Sequence, residues 1–214
     1  MIYLIGGSPR CGKTTLARRL SKKLGITWLS GDTFEGMVWR YVSKEEYPKK
    51  FPKNILRDLT HNINDEMYTR YTTQEIMDAY IIQGQAVDHV MEVLVEDMVK
   101  EKQNFIIEGY HVFPAFAAKM MKKYGKENFR VIYLLKSDLE STHDSLMAGS
   151  APDDWVHYKT KDKAIIRSIS EFVFAFSNYY KKEAEKYDLP VVRYTGKLED
   201  FFVQAESKLL GGKT

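Results

Sequence analysis

The sequence has little cysteine, a nearly even charge balance and no long apolar run. Its 214 residues include one cysteine, Cys11, which excludes an internal disulfide and gives no sign of an oxidising compartment. The 32 basic and 29 acidic side chains leave a formal net charge of +3, too even a balance to indicate a nucleic-acid or membrane partner. No apolar run approaches the ~20 residues of a membrane span. We therefore expect no nucleic-acid partner, no membrane partner and a cytoplasmic location.

Internal repeats and low-complexity tracts are also lacking. The length suits one core domain, so we expect a single domain over 1–214. We expect no signal peptide, because an apolar stretch at the N-terminus leads straight into a glycine-rich loop.

The most informative motif lies at that loop. Residues 1–15 place an apolar strand directly before Gly-x-x-x-x-Gly-Lys-Thr, and a helical pattern follows. Such glycines let the backbone curl until its N–H groups and the helix N-terminus face nucleotide phosphates. Lys13 then reaches the β- and γ-phosphates, and the hydroxyl of Thr14 binds Mg²⁺. The predicted nucleotide-binding residues are Gly7, Ser8, Pro9, Arg10, Cys11, Gly12, Lys13, Thr14 and Thr15.

Four further short apolar runs alternate with helical stretches, which gives the order βαβαβαβαβα. They are residues 26–29, 104–108, 130–135 and 189–194. Runs that are apolar on both faces suit strands covered by helices on both sides. The sequence therefore predicts an α/β protein: a three-layer P-loop NTPase fold with a five-stranded parallel sheet.

Helix starts and long helices also have recognisable signals. Thr72 with Glu75, and Ser137 with Glu140, have the spacing of capping boxes. A stripe of apolar residues predicts a long helix over 165–187.

Two segments do not belong to the repeating strands and helices of a minimal α/β fold. Residues 33–71 are rich in aromatic and charged side chains, and residues 148–163 are polar and interrupted by glycine and proline. Both emerge near the carboxyl edge of the predicted sheet, where ligands of parallel sheets bind. We interpret 33–71 as a substrate-binding insertion and 148–163 as a lid.

Two carboxylates follow predicted strands. Asp32 comes directly after the second strand and Glu108 ends the third, each beside a glycine that leaves room for a ligand. Phosphoryl transfer needs one group to orient or deprotonate the attacking hydroxyl and one to hold Mg²⁺. We assign Asp32 to the substrate hydroxyl and Glu108 to the metal. The alternative for each is a helix N-cap or a surface carboxylate.

Together these motifs resemble the nucleoside monophosphate kinase-like group of small P-loop kinases over nearly the whole chain. Adenylate kinases have Asp-Gly-Phe-Pro-Arg after the third strand and an arginine-rich lid, whereas this chain has Glu-Gly-Tyr-His and only Arg167 between Arg130 and Arg193. A true nucleoside monophosphate kinase is thereby disfavoured. Shikimate kinases have two aspartates shortly after the second strand, where this chain has Asp32 alone.

The similarity to 2-phosphoglycerate kinases is closer. The matching segments are Gly6-Gly7-Ser8, Ser30-Gly31-Asp32, Ala79-Tyr80-Ile81-Ile82-Gln83 and Glu108-Gly109-Tyr110-His111-Val112-Phe113-Pro114. The resemblance implies an ATP- and Mg²⁺-dependent small-molecule kinase, with a 2-phosphoglycerate-like acceptor. It also implies that His111 faces the substrate, although a structural hydrogen bond is the alternative. Gly196 follows the last strand, where similar kinases pass backbone close to the adenine ring; a plain turn is the alternative.

Three arginines are candidates for binding anionic groups. Arg167 opens the long helix behind the predicted lid, where it would stabilise the transferring phosphoryl group or form a surface ion pair. Most charges of 33–71 balance one another, and from this set we select Arg40 and Arg57 as ligands of an anionic substrate.

The sequence thus predicts a phosphotransferase that uses ATP and Mg²⁺ and acts on a hydroxyl or phosphate of a small metabolite. One alternative is a regulatory ATPase that contacts a protein partner through 33–71. Another is a toxin-type kinase that acts on a nucleotide sugar.

Overall fold

A five-stranded parallel sheet forms the centre of the computed structural model, which describes residues 1–149 and 154–211. The strands are β1 (Ile2–Gly7), β2 (Thr27–Ser30), β3 (Phe105–Glu108), β4 (Phe129–Leu135) and β5 (Val191–Arg193). Their order across the sheet is β2-β3-β1-β4-β5, and each neighbouring pair is parallel. The predicted α/β fold with five parallel strands is confirmed.

Helices cover both faces of this sheet. They are α1 (Lys13–Leu24), α2 (Gly31–Val38), α3 (Tyr47–Lys50), α4 (Pro52–Leu59), α5 (Asn64–Arg70), α6 (Thr73–Gln85), α7 (Asp88–Lys100), α8 (Pro114–Tyr124), α9 (Leu139–Met147), α10 (Trp155–Tyr158), α11 (Ile165–Lys186) and α12 (Leu198–Leu210). None of the helices within 1–149 and 154–211 is long and apolar enough to cross a membrane.

The core has two parts, one on each face of the sheet. On one face Leu4 and Tyr133 pack with residues of α6, α7, α8 and α11. On the other face Ile5 and Ile132 pack with α1 and α12. Successive strand residues point to opposite faces, so apolar residues at consecutive positions serve both parts. This is the reason why the strands are continuous apolar runs.

One predicted capping box is present and the other is wrong. At the start of α6 the backbone N–H of Thr72 donates to Glu75 at 2.8 Å, and the Thr72 hydroxyl accepts from the Glu75 N–H at 3.2 Å. At the start of α9 the cap is Asp138, whose carboxylate accepts from the Ser141 N–H at 2.8 Å. Asp138 offers a charged acceptor one residue beyond Ser137, which displaces the helix start by one position.

The 33–71 segment contributes most of α2 and all of α3, α4 and α5. Helix α4 packs on α6, and α5 packs on α11. The segment is therefore anchored to α6 and α11 on one face of the sheet, beside the carboxyl ends of β2 and β3.

Candidate active site

A cleft of about 960 Å³ opens at the carboxyl edge of the sheet. The phosphate loop lines one side, and residues of the 33–71 and 148–163 segments line the other. The side chains that line the cleft include Arg10, Lys13, Thr14, Asp32, Glu35, Trp39, Tyr47, Lys53, Arg57, Glu108, Tyr110, Trp155 and Lys159. The cleft thus brings most of the predicted nucleotide and substrate residues together.

The phosphate loop connects β1 to α1. Gly12 has φ of 89°, a left-handed conformation that favours glycine, and a side chain there would press on the ring of Phe202 at 3.1 Å. The ammonium of Lys13 donates to the carbonyl of Ser8 at 2.8 Å, and the Cys11 thiol donates to the same carbonyl at 2.9 Å. Pro9, Arg10, Gly12, Lys13, Thr14 and Thr15 line the cleft, whereas Gly7, Ser8 and Cys11 are buried behind it.

Glu108 lies at the end of β3 and faces the first turn of α1. The hydroxyl of Thr14 donates to its carboxylate at 3.0 Å, and Glu108 is only 2% exposed. A hydroxyl and a carboxylate beside a phosphate loop are the oxygen ligands that Mg²⁺ prefers, so these two residues fit the metal predicted from the sequence.

Asp32 lies in the first turn of α2. Ser30 caps this helix, because its hydroxyl accepts from the Asp32 N–H at 3.3 Å. The Asp32 side chain is exposed and lines the cleft. It is thus open to solvent on the same edge of the sheet as the buried Glu108.

Beneath Asp32 lies a buried charge network around Glu35. The Lys53 ammonium donates to both Glu35 oxygens at 2.8 Å, and the Tyr110 hydroxyl donates at 2.5 Å. His111 Nε2 lies 2.9 Å from the Glu35 carboxylate, and the imidazole is fully buried. We call these four residues, Glu35, Lys53, Tyr110 and His111, the Glu35 network.

Burial and hydrogen bonding act in opposite directions on Glu35. Burial disfavours its charge, but the hydrogen bond from His111 and the charge of Lys53 outweigh burial and hold the pKa of Glu35 well below its ordinary value. Burial lowers the pKa of His111, against the opposing hydrogen bond to Glu35. The network is therefore a Glu35 carboxylate paired with the Lys53 ammonium, with a neutral imidazole that donates from Nε2.

Two residues of the Glu35 network form a second candidate metal site with Asp32. Ligand atoms of Asp32, Glu35 and His111 lie within 4.8 Å of one another, a spacing that suits a metal ion. However, the Lys53 ammonium already occupies both Glu35 oxygens. The charge of Glu35 is thus already balanced by a cation, which makes Glu108 with Thr14 the better metal site.

Helix α2 rests directly on the imidazole of His111. A side chain at Gly31 would place its Cβ 2.2 Å from His111 Nδ1. Glycine at this position therefore lets the start of α2 approach the chain that follows β3.

Two cationic side chains, on the side of the cleft opposite the phosphate loop, donate hydrogen bonds to neutral asparagines. Arg57 donates to the side-chain oxygen of Asn64 at 2.7 Å, and Lys159 donates to that of Asn62 at 2.6 Å. Both line the cleft. Burial, and then the nearby charges of Arg57 and Lys53, lower the pKa of Lys159. This part of the cleft is thus suited to an anionic ligand.

The 148–163 segment is attached to both sides of the cleft in its described part. Asp154 is 2% exposed and pairs with Arg10 of the phosphate loop at 2.6 Å. Asp65 of α5 accepts from the N–H groups of Lys161 and Asp162 at 2.9 and 2.7 Å. Residues 150–153 of the predicted lid lie outside the described residues.

Besides Gly7, Ser8 and Cys11, four further predicted site residues lie outside the cleft lining. Arg167 forms a bidentate ion pair with Glu140 on the surface, at 2.8 Å for each bond. The Arg40 guanidinium turns back to the carbonyl of Gly36 and lies over the ring of Trp39. Gly196 has φ of 79° in the turn after β5 with no atom near its Cβ position, and His111 is buried below the cleft.

The sequence analysis missed Glu35, Lys53, Tyr110 and Lys159. A usable signal for one of them exists, because Glu35 follows Asp32 by three residues and His111 follows Glu108 by three. On a helix this spacing places Glu35 on the same face as Asp32, whereas it carries no such meaning for His111, which follows a strand.

Comparison with known proteins gives sequence relatives and a structural match. No protein-family model matches the chain. The 2-phosphoglycerate kinase of Pyrococcus horikoshii is 26% identical over 196 residues, which cover 90% of this chain and 58% of that protein. That of Methanopyrus kandleri is 23% identical over 200 residues, which cover 90% and 55%. The chain thus spans less than two thirds of the length of these relatives.

A solved structure matches as well. A sugar kinase from Janibacter sp. HTCC2649 superposes with a TM-score of 0.54 at 13% identity, covering 97% of this chain and 93% of that one. At this identity the match shows the fold alone. The predicted resemblance is confirmed: the chain has the fold of P-loop small-molecule kinases and is similar in sequence to 2-phosphoglycerate kinases.

Proposed function

We propose that the protein is an ATP- and Mg²⁺-dependent phosphotransferase that acts on a small anionic metabolite. The observation that carries this proposal is the single cleft that contains the phosphate loop, the Thr14 and Glu108 pair, the exposed Asp32 and the cations of the insertion. A donor site and an acceptor site in one cleft are what phosphoryl transfer requires.

The donor side consists of the phosphate loop. Its backbone N–H groups and Lys13 bind the phosphates of ATP, and Thr14 and Glu108 hold the metal. When bound, Mg²⁺ neutralises charge that develops on the phosphate oxygens. Arg10, a residue of the same loop, brings a further positive charge to this side, where it pairs with Asp154.

The acceptor side begins at Asp32. Asp32 orients the acceptor hydroxyl and takes its proton as the hydroxyl oxygen bonds to the γ-phosphorus. The bond from the γ-phosphorus to the bridging oxygen breaks, and ADP leaves with that oxygen. Arg57 binds a negative group elsewhere on the acceptor, which fixes the hydroxyl in line with the γ-phosphate. 2-Phosphoglycerate, after which the relatives are named, is the first compound to test.

A regulatory ATPase is the competing function. Met37 and Tyr41, in the 33–71 segment, are 50% and 91% exposed and border an apolar groove, which is a feature of protein-binding surfaces. Such a protein would hydrolyse ATP at the same slow rate whichever metabolite is present.

Release of ADP in the presence of a metabolite panel tests the proposal. We expect acceptor-dependent ADP release by the wild-type protein and none by Lys13→Ala, since the contacts of that ammonium lie within the phosphate loop. The matched control is Lys22→Ala, on the exposed face of the same helix. A rate of ATP hydrolysis that no metabolite changes would favour the regulatory ATPase.

A further inference from the structure

The acceptor side of the cleft has aromatic walls as well as positive charges. Trp39, directly after α2, Tyr47 of α3 and Trp155 of α10 line it together with Arg57 and Lys159. Trp39 is 40% exposed although it is a large apolar side chain. Aromatic surface of this kind inside a concave site is what commonly binds the body of a ligand.

These rings are held in place by the protein. Tyr47 stacks on Phe51 with ring centres 5.4 Å apart, and Asn54 donates to its hydroxyl at 3.3 Å. Trp39 meets the edge of Tyr47 at 6.5 Å. Because neighbouring side chains already hold each ring, ligand binding here costs little side-chain conformational entropy.

Trp155 is fixed in a similar way from the insertion. Its backbone carbonyl accepts from the Asn64 amide at 3.0 Å, and the Arg57 guanidinium lies 5.5 Å from its ring centre. Asn64 also accepts from Arg57. The indole and the cation therefore form one unit, in which the positive charge lies over one face of the ring.

The positive charges of this wall are open to a ligand. Within 1–149 and 154–211, Arg57 and Lys159 have no carboxylate within 4.0 Å, and each donates to a neutral asparagine oxygen. An anionic group between them would relieve the repulsion of two cations that share a cleft.

We propose that the phosphoryl acceptor is a ring-bearing anion. Its ring lies against Trp155 and Trp39, and its phosphate or carboxylate lies between Arg57 and Lys159. This inference rests on the proposed function and narrows its substrate class. A linear three-carbon acid such as 2-phosphoglycerate has no ring face to place against the indoles, so the aromatic walls would contribute little to its binding.

The three tryptophans provide a binding assay that does not depend on activity. Trp39 and Trp155 line the cleft, whereas Trp28 lies in β2 beside Arg18. Quenching of tryptophan fluorescence would be measured in the presence of MgADP with three probes: glucose 6-phosphate, uridine 5′-monophosphate and 2-phosphoglycerate. The first two separate a sugar ring from a planar base, and the third is the linear control.

We expect at least one ring phosphate to bind about tenfold or more tightly than 2-phosphoglycerate, the effect of aromatic contact on an equilibrium. Trp39→Leu and, separately, Trp155→Leu should remove this preference by weakening binding of the ring phosphates more than binding of 2-phosphoglycerate. Trp28→Phe should preserve the preference. Thermal melting would show that each variant folds, and the exposed Trp39 gives a second variant should Trp155→Leu not fold.

Two results would overturn the inference: 2-phosphoglycerate binding at least as tightly as both ring phosphates, or equal losses for all three probes in the tryptophan variants. Failure of the proposed function has a different signature. If a ring phosphate binds but no compound stimulates ADP release, the phosphotransferase proposal fails while the ligand class stands. If 2-phosphoglycerate alone stimulates ADP release, the function stands and this inference fails.

Discussion

Thr14 and Glu108, 94 positions apart in the chain, are joined by a hydrogen bond of 3.0 Å. The bond links the first turn of α1 to the end of β3, so the two oxygen ligands proposed for Mg²⁺ are already close together.

Replacement of Glu108 by glutamine should raise the Mg²⁺ concentration needed for half-maximal activity. A neutral amide is a poorer ligand for a hard cation and for its bound waters. A titration of ADP release against Mg²⁺ measures the change, and Glu45→Gln, an exposed carboxylate of the insertion, is the control. An unchanged Mg²⁺ requirement would remove Glu108 from the metal site.

Asp32→Asn should fail in a different manner. The amide keeps the size of the carboxylate but cannot take the proton, so phosphoryl transfer should fall by about 10²–10⁴-fold. Binding of MgATP, measured by calorimetry, should be retained. Should Asp32→Asn instead shift the Mg²⁺ requirement while Glu108→Gln lowers the rate at saturating metal, the two assigned roles are reversed.

Arg57→Met should weaken acceptor binding and leave MgATP binding unchanged. Loss of a charge-assisted hydrogen bond costs about 1.5–3 kcal/mol, which corresponds to a rise of roughly 10–100-fold in the KM of the acceptor. Arg70→Met, an exposed arginine of the same insertion, is the matched control. An equal rise in the KM of ATP and of the acceptor would argue against a specific role in the acceptor site.

The Glu35 network should make the protein sensitive to acid. The pKa of Glu35 is lower in the folded state than its ordinary value of 4.5, so its carboxylate stabilises the fold above that pH. This stabilisation is lost as the pH falls from 4.5 toward the lower folded pKa. Denaturant unfolding of wild type and Glu35→Gln across this range measures the effect, and Glu35→Gln should show the shallower pH dependence.

The same variant should be less stable than wild type at pH 7. Removal of one partner leaves the Lys53 ammonium, 13% exposed, without its counter-charge, which costs about 3–5 kcal/mol for a buried pair. Lys53→Met combined with Glu35→Gln should recover part of this loss, because the two residues interact directly. Additive losses in the double variant would show that the pair is not coupled.

Hydrogen exchange tests the lid prediction over residues 154–163. The Asp65 carboxylate accepts hydrogen bonds from the N–H groups of Lys161 and Asp162. This stretch should therefore be protected from exchange together with α5. Exchange in both should slow when a non-hydrolysable ATP analogue and an acceptor bind together, whereas α12, outside the cleft, should not change. Equal exchange with and without ligands in 154–163 would contradict a lid.

The sequence allowed the sheet, the phosphate loop and the two carboxylates to be predicted, because each depends on local pattern and on the edge where parallel strands end. The Glu35 network could not be predicted in this way. Lys53 is one of many charges in 33–71, and only the packing of α4 against α6 brings it to Glu35. Arg167 was equally ambiguous, since its pairing depends on how α9 lies beside α11.

The contact between Gly31 and His111 has a consequence for how the site could evolve. The strands that lead to Asp32 and Glu108 pair directly at Ser30 and Glu108, and the imidazole fills the space against the backbone of Gly31. A larger residue at position 31 would push the start of α2 outward and move Asp32 away from Glu108. A larger side chain at position 31 would thus require a smaller one at position 111. These two positions together set how closely the start of α2 approaches the chain after β3.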